Sequence, residues 1–442
     1  VGLEGKAPIT IVPMSGQFEI GPFGFELITL THSIPEPNAV VIRTPAGTVL
    51  HSGDWKFDPD PLVGDVTDEA ALRRIGDEGV LALVCDSTNA LRPGSSRSEG
   101  ELVASLTELI GRYQGRVAVA CFASNVARLS TIAHAARANG RDVALVGRSL
   151  HRIDAAAREN GYLADVPRFL TEDEAGYVPR DKILLICTGS QGEPRAALSR
   201  IARDDHAHIA LEGGDVVIFS SKVIPGNEKP IGRLQNALSR LGVEIVTESD
   251  EFVHVSGHPS QDELTRMYQM VRPRVAIPVH GESRHLATHA EIARACQVQE
   301  ALVIENGAVV RLDANGAAVV DEVPVGRIAS DGTELLPLGG SALKQRRRIA
   351  ADGGAVASVV VDRKGFLAAP PRVTLFGLGE GAAVPEIAAA LGNIVADTVE
   401  TMPAPLRRND DTLMEAARRA LRRGISDRLG KRPLIEVQLV RL

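Results

Sequence analysis

Aromatic side chains are scarce: Phe, Tyr and Trp make up 3% of the 442 residues, with a single Trp. That argues against a broad base-stacking platform, so a nucleic acid would have to be gripped through phosphates and a few pockets. Cysteine is rarer still. Cys85, Cys121, Cys187 and Cys296 form no C-x-x-C pair, which excludes a cysteine zinc knuckle or a dithiol redox motif. The first three sit in or at the end of apolar stretches, as buried thiols of a reducing compartment do. No apolar run approaches the ~18 residues of a membrane helix, and no charged-then-apolar leader opens the chain. Net positive charge is also lacking: the balance is −7, against a chain that coats nucleic acid non-specifically. Lysine supplies only eight of the 49 basic residues, so single arginines are weak phosphate signals. There is no internal repeat and no Walker or dinucleotide glycine pattern.

What is present is ordinary globular material, 44% hydrophobic and 24% charged, and long enough for two to three domains. Strands are predicted over 10–13, 23–31, 39–44, 48–51 and 81–85. From about 99 to 243 helix and strand alternate: helices over 99–113, 125–139, 148–160 and 194–202 and from about 230, strands over 116–122, 142–146, 182–187 and 215–220. That alternation predicts a doubly wound parallel sheet. Residues 331–355, with Gly339-Gly340, the basic run 344–348 and Gly353-Gly354, read as a linker. Residues 356–442 predict a small α/β unit, with strands over 357–361, 372–376 and 434–440 and helices over 385–401 and 411–423. Leu413, Ala417 and Leu421 form the apolar stripe of the second helix.

The chain is organised around residues 252–282. A strand predicted over 251–255 runs into Ser256-Gly257-His258, a helix starts near Gln261, and a strand over 275–279 runs into His280-Gly281-Glu282. This is a βαβ unit with parallel neighbouring strands. It puts His258 and His280, 22 residues apart, at the strand edge where α/β proteins build sites. A lone histidine there usually only caps its strand; two at matching ends, each beside glycine, point to a site. His32 and Asp54 repeat the pattern after two earlier strands, again 22 apart. Imidazole and carboxylate suit a borderline-soft divalent metal such as zinc, and an aspartate can bridge two ions. Asp86 follows another strand, where an aspartate often just caps a turn. His285 and His289 share a helix face without the glutamate of H-E-x-x-H, and read as surface or packing histidines, like His51, His134, His151 and His206.

Three strand-to-helix loops are rich in small polar residues: Ala123-Ser124-Asn125, Thr188-Gly189-Ser190-Gln191-Gly192 and Pro225-Gly226-Asn227-Glu228. Each alone is an ordinary α/β turn. At one sheet edge together they favour a phosphate-lined channel, because glycine admits a phosphate to the backbone and helix N-termini donate to it.

The segments THSIPEP, HSGDWKFDP, CDSTNA, CFASNVARL, ICTGSQGEP, FSSKVIPGNE, VSGHPSQDEL and PVHGE occur in this order along nearly the whole chain. In combination they resemble the ribonuclease J family, bacterial RNA-degrading enzymes of the metallo-β-lactamase superfamily, beta-CASP group. The resemblance implies an α/β architecture: a metallo-β-lactamase αβ/βα sandwich over 1–98 and 244–330, with its N-terminal part missing. A doubly wound beta-CASP domain is inserted over 99–243, and a small C-terminal α/β domain over 356–442 supports oligomerisation. It implies two Zn2+ ions, with Mn2+ or Mg2+ as substitutes, His32 and His280 each serving one and Asp54 bridging. Asp86 would tune His258, since a carboxylate raises the pKa of a neighbouring imidazole and so suits a proton donor to the leaving oxygen. Ser124, Asn125, Thr188, Gly189, Ser190, Gln191, Gly192, His254, Val255, Ser256 and Gly257 would contact RNA, although His254 could equally be the outward face of its strand. The implied activity is 5′-to-3′ exonuclease with an endonuclease mode, on single-stranded RNA with a 5′-monophosphate, in cytoplasmic rRNA maturation and mRNA decay. The implied assembly is a homodimer or homotetramer with RNA-decay partner proteins and no membrane.

The family's H-x-H-x-D-H motif should precede His32 and is not in the sequence; the only H-x-H is His206-Ala207-His208. The chain also starts with Val rather than Met. The expectation is a chain that begins inside a gene product. Its three metal residues cannot give three ligands to each of two ions, so it is expected to be inactive alone. The rival from another class is a non-catalytic RNA-binding or assembly subunit, against which the retained His32, Asp54 and His280 speak. A small-molecule metallo-hydrolase is disfavoured by the long insertion between Asp86 and His258, and a DNA-directed nuclease by the TGSQGEP and SGHPSQDEL segments.

Overall fold

The structure, a computed structural model, describes residues 5–380 and 383–442. It divides into two compact units, Val1–Val323 and Pro324–Leu442. The first opens with β1 (Gln17–Ile20), β2 (Phe23–Thr29), β3 (Asn38–Thr44) and β4 (Gly47–His51), paired antiparallel in succession. Helix α1 (Glu69–Glu78) is started by the Asp68 carboxylate, which accepts from the Ala71 N–H, and stopped by Gly79 at φ 100°. Strand β5 (Ala82–Asp86) follows.

The insertion runs through α2 (Glu99–Gly111), β6 (Val117–Ala120), α3 (Val126–Ala138), β7 (Asp142–Val146), α4 (Arg148–Glu159) and α5 (Glu172–Ala175). It continues through β8 (Ile183–Cys187), α6 (Ala197–Ile201), β9 (Val216–Phe219), α7 (Glu228–Arg240) and β10 (Glu244–Val246). Its five strands are all parallel, in the order β10-β9-β6-β8-β7. The period of two along β6 divides its residues between two cores: Val117 and Val119 lie in one, Ala118 and Ala120 in the other. The predicted doubly wound sheet is therefore formed. The chain leaves β6 toward β7 and β8 and returns to β9 on its other side, so the switch point lies between β6 and β9.

The chain then returns to the first sheet through α8 (Gln261–Val271), β11 (Val275–Val279), α9 (Ser283–Ala295) and β12 (Glu300–Ala301), and ends the unit with the hairpin β13 (Ala308–Asp313)–β14 (Gly316–Glu322). The seven-stranded order is β1-β2-β3-β4-β5-β11-β12, with β4, β5, β11 and β12 parallel. Because β3 is antiparallel to both neighbours, β2 runs the same way as these four. The C-terminal ends of β2, β4, β5 and β11 thus open on one edge. Leu83 and Cys85 pack with α1 and α8 on one face; Ala82 packs with Val275 and Ile277 on the other. This is the metallo-β-lactamase-type mixed fold with its inserted domain.

Three local expectations fail. Residues 251–255 pair with no strand, so the βαβ unit does not exist; the parallel neighbours of β11 are β5 and β12. The carbonyls of Phe252, Val253 and Val255 accept from the side chains of Ser105, Ser220 and Arg128 instead of from a ladder. Residues 10–13 are also irregular, the first strand being β1. Residues 331–355 are not a bare linker. They include the end of a hairpin, β15 (Ile328–Asp331) with β16 (Glu334–Pro337), and helix α10 (Ser341–Asp352), which carries the basic run.

The second unit is completed by β17 (Gly354–Val361), β18 (Leu367–Phe376), α11 (Ala383–Thr401), α12 (Ala404–Arg407), α13 (Asp410–Leu429) and β19 (Leu434–Arg441), with the sheet order β18-β17-β19. Leu413, Ala417, Leu421 and Ile425 make the buried stripe of α13. No helix among the described residues is long and apolar enough to cross a membrane.

Candidate metal centre

The four strands that share an edge each deliver one polar residue there. Beyond β2 stands His32, beyond β4 Asp54, at the end of β5 Asp86 and beyond β11 His280. His280 adopts φ 56°, a left-handed backbone that a non-glycine residue accepts only where its surroundings enforce it. His258 comes from the irregular segment before α8. Its ring centroid lies 5.1 Å from that of His32 and 5.4 Å from that of His280. Asp54, Asp86, His258 and His280 each offer a ligand atom within 4.8 Å of the others.

Asp86 is the hub. His258 Nδ1–H donates to its Oδ2 at 2.7 Å, and the Thr88 hydroxyl and N–H donate to its Oδ1 at 2.7 and 2.8 Å. His280 Nδ1 approaches the same Oδ1 at 3.3 Å. Burial would raise the carboxyl's pKa, yet the hydrogen bonds from His258 and His280 hold it well below the usual carboxylate range. The bond to Asp86 in turn raises the pKa of His280 against the effect of partial burial. His32 behaves oppositely: burial lowers its pKa, and the neighbouring His258 adds to this, against the Gly257 carbonyl and Asp54. Its Nδ1–H donates to the Gly257 carbonyl at 2.5 Å. Nε2 accepts a long hydrogen bond from the Ser33 hydroxyl at 3.4 Å and lies 3.9 Å from Asp54 Oδ2.

These residues fit a divalent cation. His32 shows the arrangement of a metal-binding imidazole, one nitrogen tied to a carbonyl and the other held only by a long, displaceable bond from the Ser33 hydroxyl. Asp54 receives no hydrogen bond from the described residues and is flanked by His32 at 3.9 Å and His280 Nδ1 at 3.3 Å. A carboxylate placed between two imidazoles suits a divalent cation.

Three family descriptions match the chain: "Ribonuclease J, beta-CASP domain" over residues 114–238, "Zn-dependent metallo-hydrolase RNA specificity domain" over 242–301 and "Ribonuclease J C-terminal domain" over 341–442. Ribonuclease J of Sinorhizobium meliloti is 45% identical over 99% of this chain and 78% of its own length. That of Mycolicibacterium smegmatis is 41% identical over 94% of this chain and 74% of its own. That of Corynebacterium glutamicum is 38% identical over 94% and 58%. The chain belongs to the ribonuclease J family.

In this ribonuclease J chain the three loops expected at one edge do lie together, after β6, β8 and β9, which are adjacent. Their side chains are largely committed inward. Asn125 caps α3, its Oδ1 accepting from Arg128 N–H at 2.9 Å. The Thr188 hydroxyl accepts from Ala197 N–H at 3.2 Å. Gln191 donates to the Lys222 carbonyl at 2.9 Å and accepts from Ile224 N–H at 3.0 Å. Ser190 and Gln191 are buried, and a Cβ on Gly192 would meet the Pro230 carbonyl carbon at 2.5 Å. A Cβ on Gly189, at φ 113°, would meet Ala196 Cβ at 2.9 Å. Ser124 is exposed, and Val255 is buried. Ser256 accepts from Asn89 at 2.8 Å, and Gly257 holds His32.

His254 is not the outward face of a strand. It is partly buried against Arg128 Nη1 at 3.2 Å, and burial with that cation pushes its pKa well down. His289 packs as expected, enclosed between Ser87 Oγ and Tyr268 OH, each at 2.8 Å. His285 closes the N-terminus of α9 by accepting from Glu282 N–H at 3.1 Å.

Sequence reasoning missed the residues that hold the segment carrying His258. Arg128 is fully buried. It donates to both carboxylate oxygens of Glu99 at 2.7 and 3.0 Å, to Ser220 at 2.7 and 2.8 Å and to the Val255 carbonyl at 3.5 Å. Asn89 donates to Ser256 Oγ and, at 3.0 Å, to the His258 carbonyl. Asn89 stood in CDSTNA as a visible signal. Arg128 stood likewise in CFASNVARL, but nothing there marked it as buried, because its burial depends on Glu99, 29 residues away.

Proposed function

We propose that this protein is a metal-dependent ribonuclease that hydrolyses RNA phosphodiesters 5′ to 3′ with an endonuclease mode. The observation that carries the proposal is the convergence of His32, Asp54, Asp86, His258 and His280 at one sheet edge, in a chain of the ribonuclease J family. His32, Asp54 and His280 are the metal-holding residues, with Zn2+ as the ion and Mn2+ or Mg2+ as substitutes. When bound, the metal lowers the pKa of water toward ~7 and offsets charge on the phosphoryl oxygens. Asp86 holds His258 by Nδ1, which fixes the tautomer and leaves Nε2 to face the substrate. His258 passes a proton to the 3′ oxygen as the phosphorus–oxygen bond breaks. Ser256 and Gly257 keep this segment in place through Asn89 and His32. The substrate is single-stranded RNA with a 5′-monophosphate, met in rRNA maturation and mRNA decay in the cytoplasm. The working form is a homodimer or homotetramer, joined by RNA-decay partners.

The deciding experiment follows release of nucleotides from 5′-labelled RNA, with and without a chelator, for this chain and for the chain extended by an H-x-H-x-D-H segment. Chelator-sensitive cleavage that rises with the extension supports the reading. RNA binding indifferent to chelator, with no cleavage in either form, would replace it by the non-catalytic RNA-binding or assembly role.

A further inference from the structure

Lys222 stands just beyond β9, at the switch point of the inserted sheet. Its ammonium donates to Asn89 Oδ1 at 2.8 Å. Asn89 donates onward to Ser256 Oγ and to the His258 carbonyl. One amide group therefore separates this lysine from the backbone of His258.

The lysine is half-buried, yet no carboxylate among the described residues lies within ion-pair distance of it. Lys56, more deeply buried, shows the usual solution: it pairs with Asp58 at 2.7 Å. The acids that act on Lys222 are Glu248 and Asp86, and Asp86 is already bound by His258. Arg92, exposed and free of any ion pair among the described residues, adds a second positive charge acting on the same group. Taking a cation out of water without a counter-ion is unfavourable. Of three ammonium donors, one is used. The place asks for an anion, and the only large polyanion that the site's own chemistry would bring is the substrate.

We propose that Lys222 is a phosphate-binding residue of the substrate site. Its free N–H donors take a non-bridging oxygen of an RNA phosphate beside the cleaved bond, while its bond to Asn89 ties that phosphate to the segment carrying His258. This rests on the RNA reading above. None of the site segments assigned a substrate role includes this residue.

The test uses the whole chain in EDTA, so that binding is read without cleavage. Affinity for a 5′-phosphorylated single-stranded oligoribonucleotide is measured by fluorescence anisotropy across a range of KCl concentrations. Lys222→Met should reduce the slope of log K against log salt by about 0.7, the value for one phosphate contact on a single strand. Lys222→Arg should keep the wild-type slope. A neutral methylphosphonate at the contacted position should weaken wild type and leave Lys222→Met unchanged. A folded Lys222→Met protein with wild-type slope and affinity overturns the proposal, even if its cleavage is slow, since the lysine would then serve only to hold Asn89. Should the Met variant not fold, Lys222→Gln gives the same readout. Wild type that binds while the variant matches it sinks the lysine proposal alone; wild type that binds no RNA sinks the RNA reading and the proposal with it.

Discussion

His32 and Gly257 form a pair in which each explains the other. The imidazole is kept in one tautomer by the Gly257 carbonyl, and the glycine has no side chain because one would collide with that ring. A Cβ at position 257 would lie 2.6 Å from His32 Cε1 and Nδ1. Gly257→Ala should therefore swing His32 away and weaken zinc binding roughly 10- to 100-fold, the scale of losing a partner behind a metal ligand, as measured by competition with a chromophoric chelator. His289 gives a prediction of another kind. Burial pulls its pKa from 6.5 to about 4, so the folded state keeps the ring neutral while the unfolded chain takes up a proton. Stability is then full above pH 6.5 and falls as pH drops toward 4. The loss should reach about 2 kcal/mol by pH 5. Urea unfolding followed by the fluorescence of Trp55, the only tryptophan and buried in the first unit, measures it. His289→Gln should remove most of that pH dependence.

At the scale of elements, the segment over 251–258 has no ladder and depends on side chains. Arg128 on α3 grips it from one end, and Asn89, Asp86 and His32 from the other. The Glu99–Arg128 pair that anchors this grip is buried on both sides, so removing one partner strands a charge. Glu99→Gln or Arg128→Met alone should cost about 3–5 kcal/mol, and the double change Glu99→Leu with Arg128→Met less than the sum of the two. A denaturant double-mutant cycle measures the coupling; strict additivity would show that the two side chains do not act as a pair.

At the scale of the whole molecule, the division at Val323 separates a unit that carries every candidate site residue from one that carries none. The second unit has its own core of Ala357, Val359, Leu391, Leu413 and Leu421. If it supports oligomerisation, ending the chain after Val323 should lower the oligomeric state while leaving zinc and RNA binding of the first unit intact. Light scattering coupled to size-exclusion chromatography checks the first and anisotropy the second. An unchanged assembly would place the self-association surface on the first unit.

Much of the site was legible in the residue order because strand ends and histidines are local signals. An apolar run followed by His or Asp marks its own place, so His32, Asp54, Asp86 and His280 each show in the sequence as a residue at a strand end. Four of the five parallel strands of the insertion were legible for the same reason, since alternation of helix and strand is written in the hydrophobic period; the three-residue β10 was too short to show one. The strand at 251–255 was misread because FVHV carries the apolar pattern of a strand and only the tertiary structure shows that no neighbour pairs with it. The linker was misread in the same way: glycine pairs and a run of charge conceal a helix that α10 forms between them. The buried Glu99–Arg128 pair and the unpaired charge of Lys222 were decided by tertiary structure alone. Whether a charged side chain meets an acid, a neutral amide or water is set by residues distant in the chain, and one-dimensional order does not carry that distance.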